Sequence, residues 1–169
     1  MSVGIALDEL FAWSDHERRK WKDWIAADPS RLSMTFQPGG RFPTIGALLD
    51  HVFFVERRHL SRMEGAVPPD ATGIPPDDWR ALFEYADLVR ADLHEYLAGM
   101  SDTDASGIVT FTLPAGSFSI TRRRLAAHVV LHEARHLAQL AHTVRLAGLE
   151  PPGNHDYLFF PAAHEVPTI

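Results

Sequence analysis

The chain has 169 residues, 46% hydrophobic and 22% charged, which fits one domain over residues 1–169 with a sizeable core. Its formal charge of -6 offers no global basic field to a phosphate backbone, so nucleic acid is not expected as a partner. There is no cysteine, which excludes disulfides, thiolate metal sites and a cysteine nucleophile; any metal must be held by nitrogen and oxygen.

The opening "MSVGIALDELFAWSDHERRKWKDW" lacks a basic leader followed by a long apolar run, and no stretch approaches the ~18 apolar residues of a membrane span. A cytoplasmic protein without membrane contact is expected. A first helix is predicted from Ala6 to Ala26, ending before "DPS". Thr44 can cap a second, which runs to "EGAVPP", where Gly65 and two prolines stop it. A third extends from Asp77 to Ala98, with Leu82, Ala86, Val89, Leu93 and Leu97 at helical spacing. The period then changes to two in "IVTFTL" and "SFSIT", which flank "PAG" as a short β-hairpin should. A fourth helix runs from Thr121 to Ala147, with Gly148 at the cap position and "EPPG" beyond it. The final "NHDYLFFPAAHEVPTI" is aromatic but aperiodic and is expected to pack as an ordered tail. Four helices with one apolar stripe each are most economically buried as an all-α four-helix bundle, here with a hairpin before the last helix.

The ten histidines are the informative residues. With about 100° per residue and His132 at zero, Leu125 falls at about 20°, His136 at about 40°, Val129 at about 60° and Leu140 at about 80°. Both histidines therefore point into the apolar stripe. On helix two, Leu48, His51, Val52 and Val55 share one face, so His51 is expected inside as well. A lone core histidine is ordinarily bonded to a carbonyl, a carboxylate or water. An i, i+4 pair on one face is different, because that spacing lets two imidazoles reach a single ion. His16, His59, His94, His128, His142, His155 and His164 are taken as surface or structural. In helix one, Glu17 lies in an apolar seam between Trp13 and Trp21, and a solvated carboxylate is the expectation there.

"HEARH", residues 132–136, is also the helical His-Glu-x-x-His of zinc peptidases. One peptidase class takes its third ligand from a histidine at the offset of His142, following a glycine that turns the chain. Here that glycine position is Gln139 and "LAQLAHTVRLA" continues as good helix, which carries His142 about 15 Å along the axis from His132. The methionine turn of that class is absent, the last methionine being Met100. Glu150 is too close behind the helix, and Glu165 has no helix to carry it to the ion as the other class requires. The peptidase reading is therefore disfavoured.

"TIGALLDHVFFVERRHL" and "LAAHVVLHEARHLAQLAHTVRLAGLEPPGNHDY" resemble the second and last helices of the DinB-like (DinB/YfiT) family, with "LFAWSDHERRKWKDWI" a looser likeness to its aromatic first helix. The resemblance spans nearly the whole chain. It implies a four-helix bundle, often with a hairpin before the last helix and often dimeric, holding a divalent metal, commonly zinc or nickel, on three imidazoles. In this sequence those are His51, His132 and His136. Some relatives are thiol transferases or isomerases that use a low-molecular-weight thiol such as mycothiol or bacillithiol. Glutamate after the first histidine is common among them without making them peptidases.

Three neutral ligands leave a dication uncompensated, so an open position favours ionised water, a carboxylate or a thiolate. The expected activity is thiol transfer to, or isomerisation of, a small electrophilic molecule. Metal-dependent hydrolysis is the alternative, and a non-catalytic metal-stabilised bundle, paired with itself through an exposed helix face, is the third reading. Glu133, at about 100° on the helix-four wheel, lies at the edge of the stripe. It could orient a ligand, act as a base, or bond an arginine at the rim.

Overall fold

Side-chain caps start three of the four long helices in the computed structural model, which describes residues 6–160. The first, α1, spans Leu7–Ala27 and has no such cap. α2 spans Ile45–Glu64; the Thr44 hydroxyl accepts from the Ala47 N–H, and Gly65 closes the helix at φ 75°, a left-handed conformation that favours glycine. α3 spans Trp79–Ala98 from an Asp78 cap, two residues later than the sequence suggested. A five-residue helix, α4 (Asp102–Ser106), was not expected, being too short to show a period; a reciprocal Ser101–Asp104 capping box forms it. Strands β1 (Ile108–Leu113) and β2 (Gly116–Thr121) pair antiparallel from Leu113↔Gly116 to Ile108↔Thr121. The last helix, α5, spans Arg122–Leu146 and is capped by Thr121.

α2 packs against both α5 and α3, and α1 packs against the same two helices. The order around the bundle is therefore α1, α5, α2, α3, with α1 diagonal to α2. The connection between these two is long and structured: a 3-10 turn at Pro29–Ser33 leads to a loop closed by the Thr35↔Thr44 bridge and by Phe36 N–H donating to the Pro43 carbonyl at 2.9 Å.

The apolar interior divides in two. One cluster contains Trp21, Ile25, Leu48, Phe53, Phe83 and Leu140; the other contains Phe11, Leu60, Met63, Leu93, Leu125 and Val130. Along each long helix the residues between these clusters are polar and buried: Ser14 and Arg18 on α1, Glu56 on α2, Arg90 on α3 and Glu133 on α5. Arg18 donates to Glu56 at 2.5 Å, to Glu133 at 2.9 Å and to the Ala86 carbonyl at 3.1 Å. Arg90 donates to Glu56 at 2.7 and 3.1 Å, to Glu133 at 2.7 Å and to Asp15 at 2.6 Å. The Ser14 hydroxyl also donates to Glu133. Two guanidinium groups and two carboxylates thus form a neutral layer across the bundle.

Glu17 corrects the expectation of a solvated carboxylate, for it is only 3% exposed. Lys20 pairs with it at 2.5 Å and His155 bonds it at 2.5 Å, which removes the cost of burying it. The His155 ring stacks on Trp21 at 5.2 Å, while Trp24 donates to the Glu150 carbonyl at 3.0 Å and Tyr157 to Glu9 at 2.5 Å. The tail expected from the sequence therefore packs along α1 as far as Phe160, and its remainder, with His164 and Glu165, lies outside the described residues. No helix among the described residues is long and apolar enough to cross a membrane.

Burial alone would raise the Glu56 carboxyl, but Arg18 and Arg90 hold it below its ordinary value. A carboxylate with a depressed folded pKa contributes stability that is present above its unfolded pKa and lost as pH falls through the folded one. Glu56→Gln is expected to cost about 3–5 kcal/mol at neutral pH, because two buried guanidinium groups each lose a fully buried carboxylate partner. Urea melts from neutral to acid pH test this: the gap between wild type and variant should narrow as pH falls below the ordinary carboxylate range.

Candidate metal centre

On the α5 wheel that places His132 at zero, the buried residues run from Leu125 at about 20° to Ala141 at about 180°, centred at about 100°. The sequence reading placed the histidines mid-stripe and Glu133 at its edge; the packing reverses this. Glu133 is at the centre, and the histidines lie on the shoulder that faces α2. The reason is that α5 packs against both α1 and α2, so its buried face is broader than the stripe drawn through the histidines. α2 shows the same offset: Glu56 is fully buried, and His51, five residues earlier, is only half-buried.

The two shoulders meet. One ligand nitrogen from each of His51, His132 and His136 lies within 4.8 Å of the other two. The rings of His51 and His132 are 5.1 Å apart, those of His51 and His136 5.2 Å, and those of His132 and His136 4.5 Å. Nε2 of His132 and Nε2 of His136 are 3.2 Å apart. Two nitrogens each about 2.0–2.1 Å from one tetrahedral zinc ion would be separated by about 3.3 Å, so the spacing of this pair matches the ion. No carboxylate joins the three imidazoles in that cluster among the described residues.

Neighbouring groups prepare the ring nitrogens. Nδ1 of His136 lies 2.8 Å from Oε1 of Gln139, and that carbonyl oxygen accepts the Nδ1 proton, which leaves the Nε2 lone pair toward the cluster. Arg135 donates to the same Nε2 at 3.2 Å, as it can only if that nitrogen is an acceptor. Phe42, from the α1–α2 loop, packs over His51 at 4.4 Å and meets the edge of His136 at 6.1 Å. Burial, then the neighbouring His136, then Arg41, Arg135 and Arg58 push His51 down to about 4. Burial, followed by His136 and His51, pushes His132 down to about 2. Burial also lowers His136, against the opposing bond to Gln139. All three are neutral at pH 7, the state in which imidazole ligates a metal.

Glu133 does not join them. Its two oxygens accept from Arg18, Arg90 and Ser14 in the buried layer. His142, the peptidase-style candidate, is exposed near the far end of a continuous α5. Two histidines taken as surface or structural extend the row instead. The His128 ring is 5.7 Å from His132, and the buried His59 is 5.1 Å from His128, with its Nδ1 accepting from Arg62 at 3.1 Å. His59 follows Val52 by seven residues, a spacing that marks it as inward-facing; His128 precedes His132 by one turn.

The fold is a four-helix bundle with a three-histidine cluster, able to hold a metal ion, on the seam between its second and last helices. The model of the DinB superfamily matches residues 24–140, and the chain belongs to that superfamily. Among solved structures it is similar to YfiT from Bacillus subtilis, described as "a probable metal-dependent hydrolase with an unusual four-helix bundle topology". The two share 15% identity with a TM-score of 0.69, over 89% of this chain and 94% of that one. This likeness concerns the fold. Comparison with curated proteins gives no significant match.

Gln139 is exposed and outside the core, so Gln139→Leu separates orientation of His136 from folding. Divalent-ion affinity, measured by competition with a chromophoric chelator, is expected to fall about 10- to 100-fold, while the metal-free unfolding midpoint stays close to wild type.

Proposed function

We propose that the chain is a divalent-metal-dependent enzyme, using zinc or nickel, that joins a low-molecular-weight thiol to a small electrophilic substrate or isomerises the substrate through it. The observation that carries this reading is the composition of the site: three neutral imidazoles with no carboxylate among them. A dication held there supplies an electrophilic centre that favours an anionic partner such as a thiolate and takes up the proton-loss cost of forming it. His132 and His136 hold the ion from one helix, His51 from the facing helix, and Gln139 fixes the His136 ring. Phe42 shields one side of His51 from water.

The carboxylate that hydrolysis commonly uses as general base is absent from the cluster among the described residues. Glu133 stands where a peptidase places it in sequence, yet its oxygens are taken by Arg18, Arg90 and Ser14. It acts as a positioning residue for α5. The second reading, metal-dependent hydrolysis, is favoured by the description of YfiT as a probable hydrolase and requires the ion alone to activate water.

Metal analysis of the purified chain beside His51→Ala, His132→Ala and His136→Ala tests the site. Loss of bound ion in each is expected, and retention at wild-type stoichiometry in His51→Ala would remove α2 from it. Metal-exchanged protein is then assayed with an electrophile in the presence and absence of thiol, and with an activated ester. Thiol-dependent turnover that falls roughly 100-fold or more in His132→Ala is expected; ester turnover indifferent to thiol would favour hydrolysis.

A further inference from the structure

The seam that carries the three histidines is lined by arginines that have no acidic partner. On α2, Arg58 stands two turns beyond His51 on the same line of the helix. Its guanidinium carbon lies 5.4 Å from the Phe54 ring, and its Nε is buried with no hydrogen-bond acceptor. On α5, Arg135 reaches the ligand nitrogen of His136 at 3.2 Å. From the α1–α2 loop, Arg41 lies 5.1 Å over Phe42, the ring that packs on His51. Three separate elements thus each bring one guanidinium close enough to His51 to act on it electrostatically.

None of the three forms a salt bridge among the described residues, a state they share with Arg19, Arg62, Arg80, Arg122, Arg124 and Arg145; what sets them apart is their position at His51. Arg58 also lines a cavity of about 390 Å³, together with Arg62 of α2 and Thr110, Phe111 and Thr112 of the hairpin; none of the three histidines lines it. Its one acid, Asp70, is exposed and pairs with neither arginine among the described residues. The chain is acidic overall, so a group of unpaired arginines around a site with no carboxylate is a local reversal of charge.

We infer that the substrate carries an anionic oxygen group, a carboxylate or a phosphate, that docks on Arg58, Arg135 and Arg41 beside the histidine triad. The planar fork of a guanidinium matches two oxygens of either group. This deepens the reading of the triad as a metal site and rests on it only for the position of the reacting atom. It also couples the two sites. The single lone pair of His136 Nε2 cannot accept from Arg135 and ligate an ion together, so ion and guanidinium compete for it. An anion that draws Arg135 away frees the nitrogen and offsets the positive charge, and by linkage it raises ion affinity.

The test uses the full chain, zinc-free and zinc-loaded, titrated by calorimetry with inorganic phosphate and with succinate at fixed ionic strength. Wild type is compared with Arg58→Gln, Arg135→Gln and Arg123→Gln, the last removing an arginine paired with Asp102 away from the seam. Binding at least tenfold weaker in the first two and unchanged in the third is expected; whichever anion binds tighter names the head group. Zinc affinity without anion should rise at least threefold in Arg135→Gln. Equal anion binding by wild type and the two seam variants, or an equal loss in Arg123→Gln, overturns the proposal. If the chain takes up no zinc, the metal reading fails by itself, and the zinc-free titration still decides the anion site.

Discussion

Two guanidinium groups and two carboxylates, enclosed by four helices, tolerate no partial arrangement. Each charge in the layer of Arg18, Glu56, Arg90 and Glu133 is bonded to both charges of opposite sign. Shifting any helix by one turn would leave a charge facing the leucines and phenylalanines of the neighbouring apolar cluster, at a cost of several kcal/mol. Apolar residues at the same four positions would pack with less desolvation, so the layer contributes little net stability. Its contribution is to admit one axial register and one rotation of each helix, and Ser14 and the Ala86 carbonyl take up further hydrogen-bonding capacity.

The metal centre depends on that register. Glu133 cannot turn away from the middle of the bundle, so His132 and His136 must lie about 100° and about 60° from the direction it points, on the side toward α2. Glu56 fixes α2 in the same way and thereby places His51 on the facing shoulder. The three histidines owe their meeting to two acids that stand outside the cluster. Their shoulder position also explains the graded cover, with His136 buried and His51 and His132 half-buried: a site at the centre of the bundle would be closed to any substrate.

Much of this was legible in the sequence. The cap at Thr44, the closing Gly65, the helix starts near Asp77 and Thr121 and the change of period at Ile108 are local events, and they marked the elements to within a residue or two. The His132–His136 pair was legible because i, i+4 spacing acts within one helix. His51 was not secured by its own helix, since nothing in α2 says that it faces α5; family likeness supplied it. The ionic layer was missed because charged residues are read as solvent-facing. Its signal was present nonetheless: Glu56 lies four residues from both Val52 and Leu60, Glu133 four from both Val129 and Leu137, and Arg90 four from Ala86 and three from Leu93. Two acids and two bases at core positions of four different helices balance to zero, and charge balance between helices cannot be seen one helix at a time.

The five residues of "HEARH" divide between two tasks that a peptidase would combine. In a peptidase the glutamate works at the ion that its flanking histidines hold, so all three side chains turn toward one place. Here the histidines turn to the seam and the glutamate to the core, because the glutamate is needed to neutralise Arg18 and Arg90. With that acid withdrawn, Arg18 and Arg90 would each lose a buried partner. The same requirement leaves the three imidazoles without a carboxylate among them in the described residues, while Arg41, Arg58 and Arg135 act on His51, a balance of charge that favours an anionic partner. The chemistry open to the site follows from where Glu133 is spent: it suits nucleophiles and substrates that arrive as anions.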